Sequence, residues 1–333
     1  MIGAYVHHHG SGHLHRVASV LAAVDDEVTV LTSADVPPGV LPAHCRLVTL
    51  PGDVGDAPPV DPTASGALHW APTGDTGYRA RMVQLADWVG RTDPAALWVD
   101  VSVEVTAAAR LLGVPVVGTL MPGRRVDTPH RTGFGLASAL LAAWPPGAQP
   151  LAVAEAPRPV TEVGGVSRFE GRERAPRRAD GPPVVVRLAG RGGSTTDALW
   201  ARVRELLPDV RWRQLGGEGG EWHADPWPAL CAADLVVGAA GQGTVADLAC
   251  LDGHALLVPE ERPFGEQDAT AAALPHVPGV TTCARDTDAG TLARAVSAAL
   301  DRARERPASG FRAAWAVDGA AARAAAVLAR VAA

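Results

Sequence analysis

Apolar positions fall in short runs of four to six residues, each followed by a glycine turn or a stretch with helical spacing. Residues 2–7 form the first run, and His8 to His13 a glycine-containing turn. Leu14, Val17, Ala18 and Leu21 then share one helical face, which predicts a helix over 14–24. A second strand is predicted at 27–31, a helix at 78–89, a strand at 97–101, a helix at 103–112 and a strand at 114–120. Residues 133–143 are read as a further helix. Residues 37–76 are rich in proline, glycine and aspartate and are read as mostly loop, as is 144–183.

The pattern then starts again. Strands are predicted at 184–188, 210–215, 235–238 and 255–258. The helices between and after them are predicted at 195–207, 227–232, 244–251, 269–274, 291–304 and 319–331. Strand and helix alternate throughout, so the fold class is α/β, with two Rossmann-like, doubly wound domains. The expected division is 1–150, a linker at 151–183, and 184–333. Right-handed crossovers put the glycine turns at the carboxyl edge of each sheet, where ligands bind.

Composition narrows the function classes. The chain has 333 residues, 47% of them hydrophobic and 20% charged, enough for two cores. The net charge of −6, with every fixed cation an arginine, argues against a nucleic-acid partner. Cys45, Cys231, Cys250 and Cys283 are scattered, with neither zinc nor redox spacing, which fits a reducing cytoplasm. The apolar run after Met1 is too short for a signal peptide, and no run is long enough to span a membrane. A peripheral membrane contact stays open.

The segment with most chemistry runs from Ala233 to Asp247: a buried strand, then Gly238-Ala239-Ala240-Gly241-Gln242-Gly243-Thr244, then a helix. Free N–H groups and the helix dipole make such a turn an anion site, and Gly241 and Gly243 let a diphosphate approach the backbone. Asp247 lies one turn into the helix, within reach of a ribose hydroxyl. Thr244 and Asp247 also fit a helix capping box. After the strand at 255–258, a loop ends in the acid–amide pair Glu266 and Gln267, which also fit a solvated helix start.

Residues 233–271 resemble the donor-binding half of GT-B glycosyltransferases, the family that includes the lipid II-forming N-acetylglucosaminyltransferase MurG and the family 28 C-terminal domain. The resemblance implies two Rossmann-like domains facing across a cleft. It implies that Gly241, Gln242, Gly243 and Thr244 hold the diphosphate of a nucleotide-sugar, that Asp247 binds the ribose, and that Glu266 and Gln267 bind the sugar. Asp247 stands where that family often has Glu, and Glu266 where the lipid II enzyme has Gln. Gly190, Arg191 and Ser194 look like the loop that helps hold the nucleotide, and Trp222 lies where the base is held. The turn Gly10-Ser11-Gly12-His13-Leu14-His15-Arg16 resembles the first loop of the same superfamily, with Gly12 beside the donor.

His13 sits at a helix start, where a histidine is kept a neutral base able to take a proton from an acceptor hydroxyl. Capping the turn or bonding phosphate is the alternative. Asp100 ends the strand at 97–101 and can orient His13, touch an acceptor, or cap the next helix. Arg124, Arg125, Asp127 and His130 form a polar loop after the following strand, read as acceptor-binding or simply solvated. His7, His8, His9, His13 and His15 invite a metal reading, but neighbours on a strand point to opposite faces. No paired-acid motif stands out, so no metal and no cofactor are expected beyond a UDP-sugar co-substrate, UDP being implied by the resemblance. The expected partners are that donor and a small-molecule or lipid-linked acceptor. The leading reading is an inverting, metal-independent glycosyltransferase. The alternatives are a UDP-sugar hydrolase, whose GxGHxxR turn the first loop also resembles, and a non-catalytic nucleotide-sugar-binding subunit.

Overall fold

The computed structural model describes residues 1–8, 10–55, 57–175, 181–190, 194–305 and 309–333. It divides into two compact units. Unit 1 comprises 1–143, 150–163 and 321–333, and unit 2 comprises 144–149 and 164–320. These divisions differ from the boundaries expected at 150 and 183. The stretch read as linker contributes a short helix and an edge strand to unit 1, and the final helix is counted there too.

Unit 1 contains β1 (Ile2–Tyr5), α1 (Ser11–Leu21), β2 (Val28–Thr32), β3 (Cys45–Thr49), α2 (Thr76–Thr92), β4 (Ala96–Val99), α3 (Val103–Leu111), β5 (Val116–Leu120), α4 (Thr128–Leu136), β6 (Ala139–Ala142), α5 (Pro150–Ala154) and β7 (Val160–Glu162). The seven strands form one parallel sheet in the order β3-β2-β1-β4-β5-β6-β7. The order reverses direction between β1 and β4, which makes the carboxyl ends of these two strands the switch point where ligands bind in such sheets. Tyr5, Leu31, Leu85, Trp88, Leu97 and Val116 are fully buried in its core. Each contributes on the order of 1.5–3 kcal/mol by leaving water. Gly3 of β1 is required there: a Cβ would collide with the Trp88 ring and with Leu97.

Unit 2 contains β8 (Val184–Leu188), α6 (Asp197–Leu206), β9 (Arg211–Leu215), α7 (Trp227–Cys231), β10 (Leu235–Gly238), α8 (Gln242–Leu251), β11 (Ala255–Leu257), α9 (Glu266–Ala272), β12 (Val280–Thr282), α10 (Ala289–Glu305) and α11 (Phe311–Ala314). Its parallel sheet runs β12-β11-β10-β8-β9, so the switch point lies between β8 and β10. Val185, Trp200, Leu235, Leu256, Leu292 and Val296 form the core. The last helix, α12 (Ala320–Ala332), follows, and Arg323 donates to the Val163 carbonyl at 2.8 Å. No helix among the described residues is long and apolar enough to cross a membrane.

Four local expectations are corrected. The run 133–143, read as helix, is the end of α4 followed by β6. Alanine and leucine favour helix locally, but pairing between β5 and β7 in a buried sheet overrides that preference. The helix instead begins at Thr128, because Asp127 caps it and Pro129 suits its first turn. Within the stretch read as loop, 45–49 is the edge strand β3, largely exposed and so without an apolar signature. Strand β12, three half-buried residues, escapes for the same reason.

Candidate active site

The two strands at the first switch point deliver the charged cluster of unit 1. After β1, Gly10 adopts φ +79° and turns the chain into α1, so that His13 lies in the first helical turn. After β4, the Asp100 N–H donates to the Tyr5 carbonyl at 3.0 Å, which ties the ends of the two strands together. His13 Nδ1 then meets Asp100 Oδ2 at 2.6 Å, across 87 residues of sequence. Arg16, one turn after His13, donates to Asp100 Oδ1 from Nη2 at 2.5 Å and from Nε at 3.2 Å. Its Nη2 also lies 3.1 Å from His13 Nδ1.

Asp100 is fully buried and Arg16 nearly so, while His13 is 21% exposed. Burial by itself would raise the Asp100 carboxyl; Arg16 and His13 outweigh it and hold the group well below the usual carboxylate range. With Arg16 Nη2 donating to Asp100 Oδ1, the nearer Asp100 Oδ2 is the acceptor for an Nδ1 proton of His13, and in that tautomer Nε2 is the basic atom. Asp100 does not cap α3: Ser102 does, accepting from the Val105 N–H at 3.1 Å. Arg16 carries no expected role in the sequence. Its signal was the spacing of three from His13, which puts both on one helix face.

Asp100 and His130 line one cavity of about 50 Å³, with Arg125, His69, Met121 and Phe134. Asp127 caps α4 through the His130 N–H at 2.8 Å and also accepts from His130 Nδ1 at 2.8 Å. Arg125 Nη1 donates to His130 Nε2 at 3.2 Å. Burial pushes the His130 imidazole down to about 4, helped by Arg125 and His69 against the pull of Asp127, so it is neutral at neutral pH. Arg124 is apart from this group: it is 75% exposed and pairs with Glu155 at 3.4 Å.

Unit 2 presents backbone where unit 1 presents charge. Gly241 precedes α8 with no side-chain cap, so the helix begins at Gln242, before Thr244. The capping box between Thr244 and Asp247 therefore does not form. The atoms nearest to a Cβ placed on Gly241 are Gln267 Nε2 at 3.8 Å and Thr244 Oγ1 at 3.9 Å, so the turn and the acid–amide pair meet with the backbone left open. Gln267 Oε1 accepts from the Glu260 N–H at 2.8 Å, which fixes its amide. Glu266 opens α9 and is half-buried.

Asp247 accepts from Ser167 Oγ at 2.7 Å and from Arg168 Nε at 3.3 Å. Burial raises its pKa against the effect of these two donors. Both donors lie in the stretch read as linker, which gave them no signal. Gly190 follows β8, and Arg191 lies outside the described residues. Ser194 Oγ accepts from Arg187 Nη2 at 3.1 Å, and the same guanidinium pairs with Asp197 and with Gln214. Arg187 was legible as the one charge in an apolar strand. Gly12 is exposed in the first turn of α1. Trp222 is 61% exposed, and His223 Nε2 lies 2.8 Å from Glu221 Oε2.

No family model and no curated relative matches the chain. Solved structures do. MurG of Acinetobacter baumannii is 16% identical with a TM-score of 0.64, covering 99% of each chain. The glycosyltransferase of kitacinnamycin is 19% identical with a TM-score of 0.68, covering 99% of this chain and 98% of that one. A UDP-glucosyltransferase from Polygonum tinctorium that glucosylates indoxyl is 14% identical with a TM-score of 0.70, over 99% and 98%. The chain has the GT-B fold of these proteins.

Proposed function

We propose that this protein is a glycosyltransferase that moves a sugar from a UDP-linked donor to a hydroxyl acceptor, with inversion and with no metal at the diphosphate. The observation that carries the reading is the triad of His13, Asp100 and Arg16 at the switch point of unit 1. His13 Nε2 takes the acceptor proton while Asp100 holds the ring and balances the imidazolium that forms. The freed oxygen attacks the anomeric carbon through an oxocarbenium-like transition state. The bond to the diphosphate breaks, and the charge on the leaving oxygen falls to the N–H groups of Gln242, Gly243 and Thr244. Helix dipole and backbone do there what a divalent ion does elsewhere.

On the donor side the assignment takes Gly12, Gly190, Arg191 and Ser194 for the nucleotide, with Trp222 near the base, Asp247 for the ribose, and Glu266 and Gln267 for the sugar. The loop with Arg124, Asp127 and His130 forms the acceptor side, and Arg125 and His130 share a cavity with Asp100. The acceptor class taken is a small molecule. The apolar wall of Met121 and Phe134 beside Asp100 favours an organic acceptor over water, and so transfer over hydrolysis.

A thermal-shift comparison tests this. Ligand that binds the native state raises stability by RT ln(1 + [L]/Kd). UDP is expected to raise Tm more than ADP or GDP, in EDTA as well as without it. Loss of the UDP shift in EDTA would overturn the metal-independent assignment, and a larger shift with GDP would overturn the base. Release of free sugar from UDP-sugar without any acceptor would turn the reading to hydrolysis.

A further inference from the structure

A second cluster of histidines and an acid in unit 1 lies on the proposed acceptor side and takes no part in the proton transfer assigned to His13. Asp127 is the N-cap of α4 and His130, three residues on, lies in its first turn. His69 joins them from the loop before α2. Its Nε2 lies 3.4 Å from Asp127 Oδ1, and one donor atom from each of the three residues lies within 4.8 Å of the others. The rings of His69 and His130 are 4.3 Å apart, edge to face.

His69 is held in place from behind. Glu104 Oε1 accepts its backbone N–H at 2.7 Å and that of Trp70 at 3.0 Å, while Ser102 Oγ donates to Glu104 Oε2 at 3.0 Å. His69 Nε2 and His130 are screened from solvent, and both residues border the cavity described above.

We infer that His69, Asp127 and His130 form a binding site for a divalent transition-metal ion of the zinc type. Two imidazoles and one carboxylate are a donor set this class of ion favours over magnesium or calcium, which take oxygen. Tetrahedral zinc with bonds of about 2.0–2.1 Å separates its ligand atoms by about 3.3 Å. His69 and Asp127 already stand at 3.4 Å. His130 Nδ1, now 2.9 Å from that same oxygen, Asp127 Oδ1, opens by about half an ångström to admit the ion. Its proton moves from Nδ1 to Nε2, and Arg125 turns away, since two donors cannot face each other. The fourth position falls to water from the cavity, as in zinc sites with three protein ligands. The ion ties the 62–75 loop to α4. None of its three ligands belongs to the glycine turn proposed to hold the diphosphate.

The test uses the full chain stripped with EDTA, titrated with Zn²⁺ in a calorimeter and with Co²⁺ in a spectrophotometer. The expected result is one ion per chain, a tetrahedral Co²⁺ absorption band, and a rise in Tm with Zn²⁺. His69→Ala and Asp127→Asn should each weaken binding by about tenfold or more. Asparagine keeps the helix cap, so Asp127→Asn reports on the ligand rather than on folding. Arg125→Gln should tighten binding, because an amide oxygen accepts the Nε2 proton. A His7→Ala/His8→Ala variant should bind as the parent does. Saturation only above millimolar metal, or affinity unchanged in His69→Ala and Asp127→Asn but lost in the His7/His8 variant, would overturn the inference. UDP binding in EDTA reads the proposed function separately.

Discussion

The two switch points of this protein are built from different materials. In unit 1, the ends of β1 and β4 bring three ionisable side chains into contact, paired before any ligand arrives. In unit 2, the ends of β8 and β10 bring glycine and a helix start, with open space over Gly241. The charged side chains of the second site are already engaged: Arg187 with Ser194 and Asp197, Arg168 with Asp247. A site that moves a proton needs a base with one tautomer and one orientation, which a buried carboxylate and arginine impose. A site that holds a diphosphate needs many N–H groups and room, which side chains would obstruct.

The largest expected effect breaks the first site. His13→Ala should lower kcat by about 100- to 10,000-fold, and the pH profile of kcat/KM should lose its acidic limb. A variant whose kcat is intact at saturation would remove His13 from the chemistry. Next is Arg16→Met, which leaves Asp100 buried without its cation. Breaking a buried pair costs about 3–5 kcal/mol, read as a lower midpoint in urea. An unchanged midpoint would mean the triad is not preorganised by that pair.

The Asp100 carboxyl is lower in the folded chain than in the unfolded one, where carboxylates titrate at about 3.9. Its pairing therefore stabilises the fold fully above that value, and the stabilisation is lost as pH falls toward the folded value. The stability gap between the parent and Asp100→Asn should accordingly narrow below about pH 4. A gap constant down to pH 2 would show that the carboxylate is not the source.

A smaller effect sharpens the second site. Asp247→Asn should raise the donor KM by about 10- to 100-fold if the ribose needs the charge. A normal KM with a lower Tm would assign Asp247 to Ser167 and Arg168 alone.

The elements that build the switch points were legible because β1, β4 and β10 are uncharged, mostly apolar runs buried throughout, and β8 is apolar but for Arg187. The glycine turns after β1 and β10 were legible as breaks in that pattern. The edge strand β3 and the short β12 were not, because exposed strands need no apolar run. Strand β6 was not, because its alanines and leucines favour helix and only its neighbours make it a strand. His13 and Asp100 could each be named from their place at a strand end. Their contact, 87 residues apart, is fixed by the pairing of β1 with β4, which no local pattern contains. Ser167 and Arg168 lay in a stretch whose prolines and glycines hid them, and the convergence of His69 with Asp127 likewise depends on a loop without periodicity.

The most direct test of the division of labour is UDP affinity measured by calorimetry on three proteins: the parent, His13→Ala and Gly241→Ala. At Gly241 the backbone suits any residue, with φ −70°, and a methyl group would meet its neighbours only at 3.8 Å and beyond. Alanine is a poorer helix cap, at a cost of about 1 kcal/mol, so the fold should survive. In the proposed assignment that methyl occupies the path of the diphosphate. The account predicts that Gly241→Ala weakens UDP binding by about tenfold or more, the loss of one charge-assisted backbone contact, while His13→Ala leaves it unchanged. UDP affinity intact in Gly241→Ala but lost in His13→Ala would contradict it.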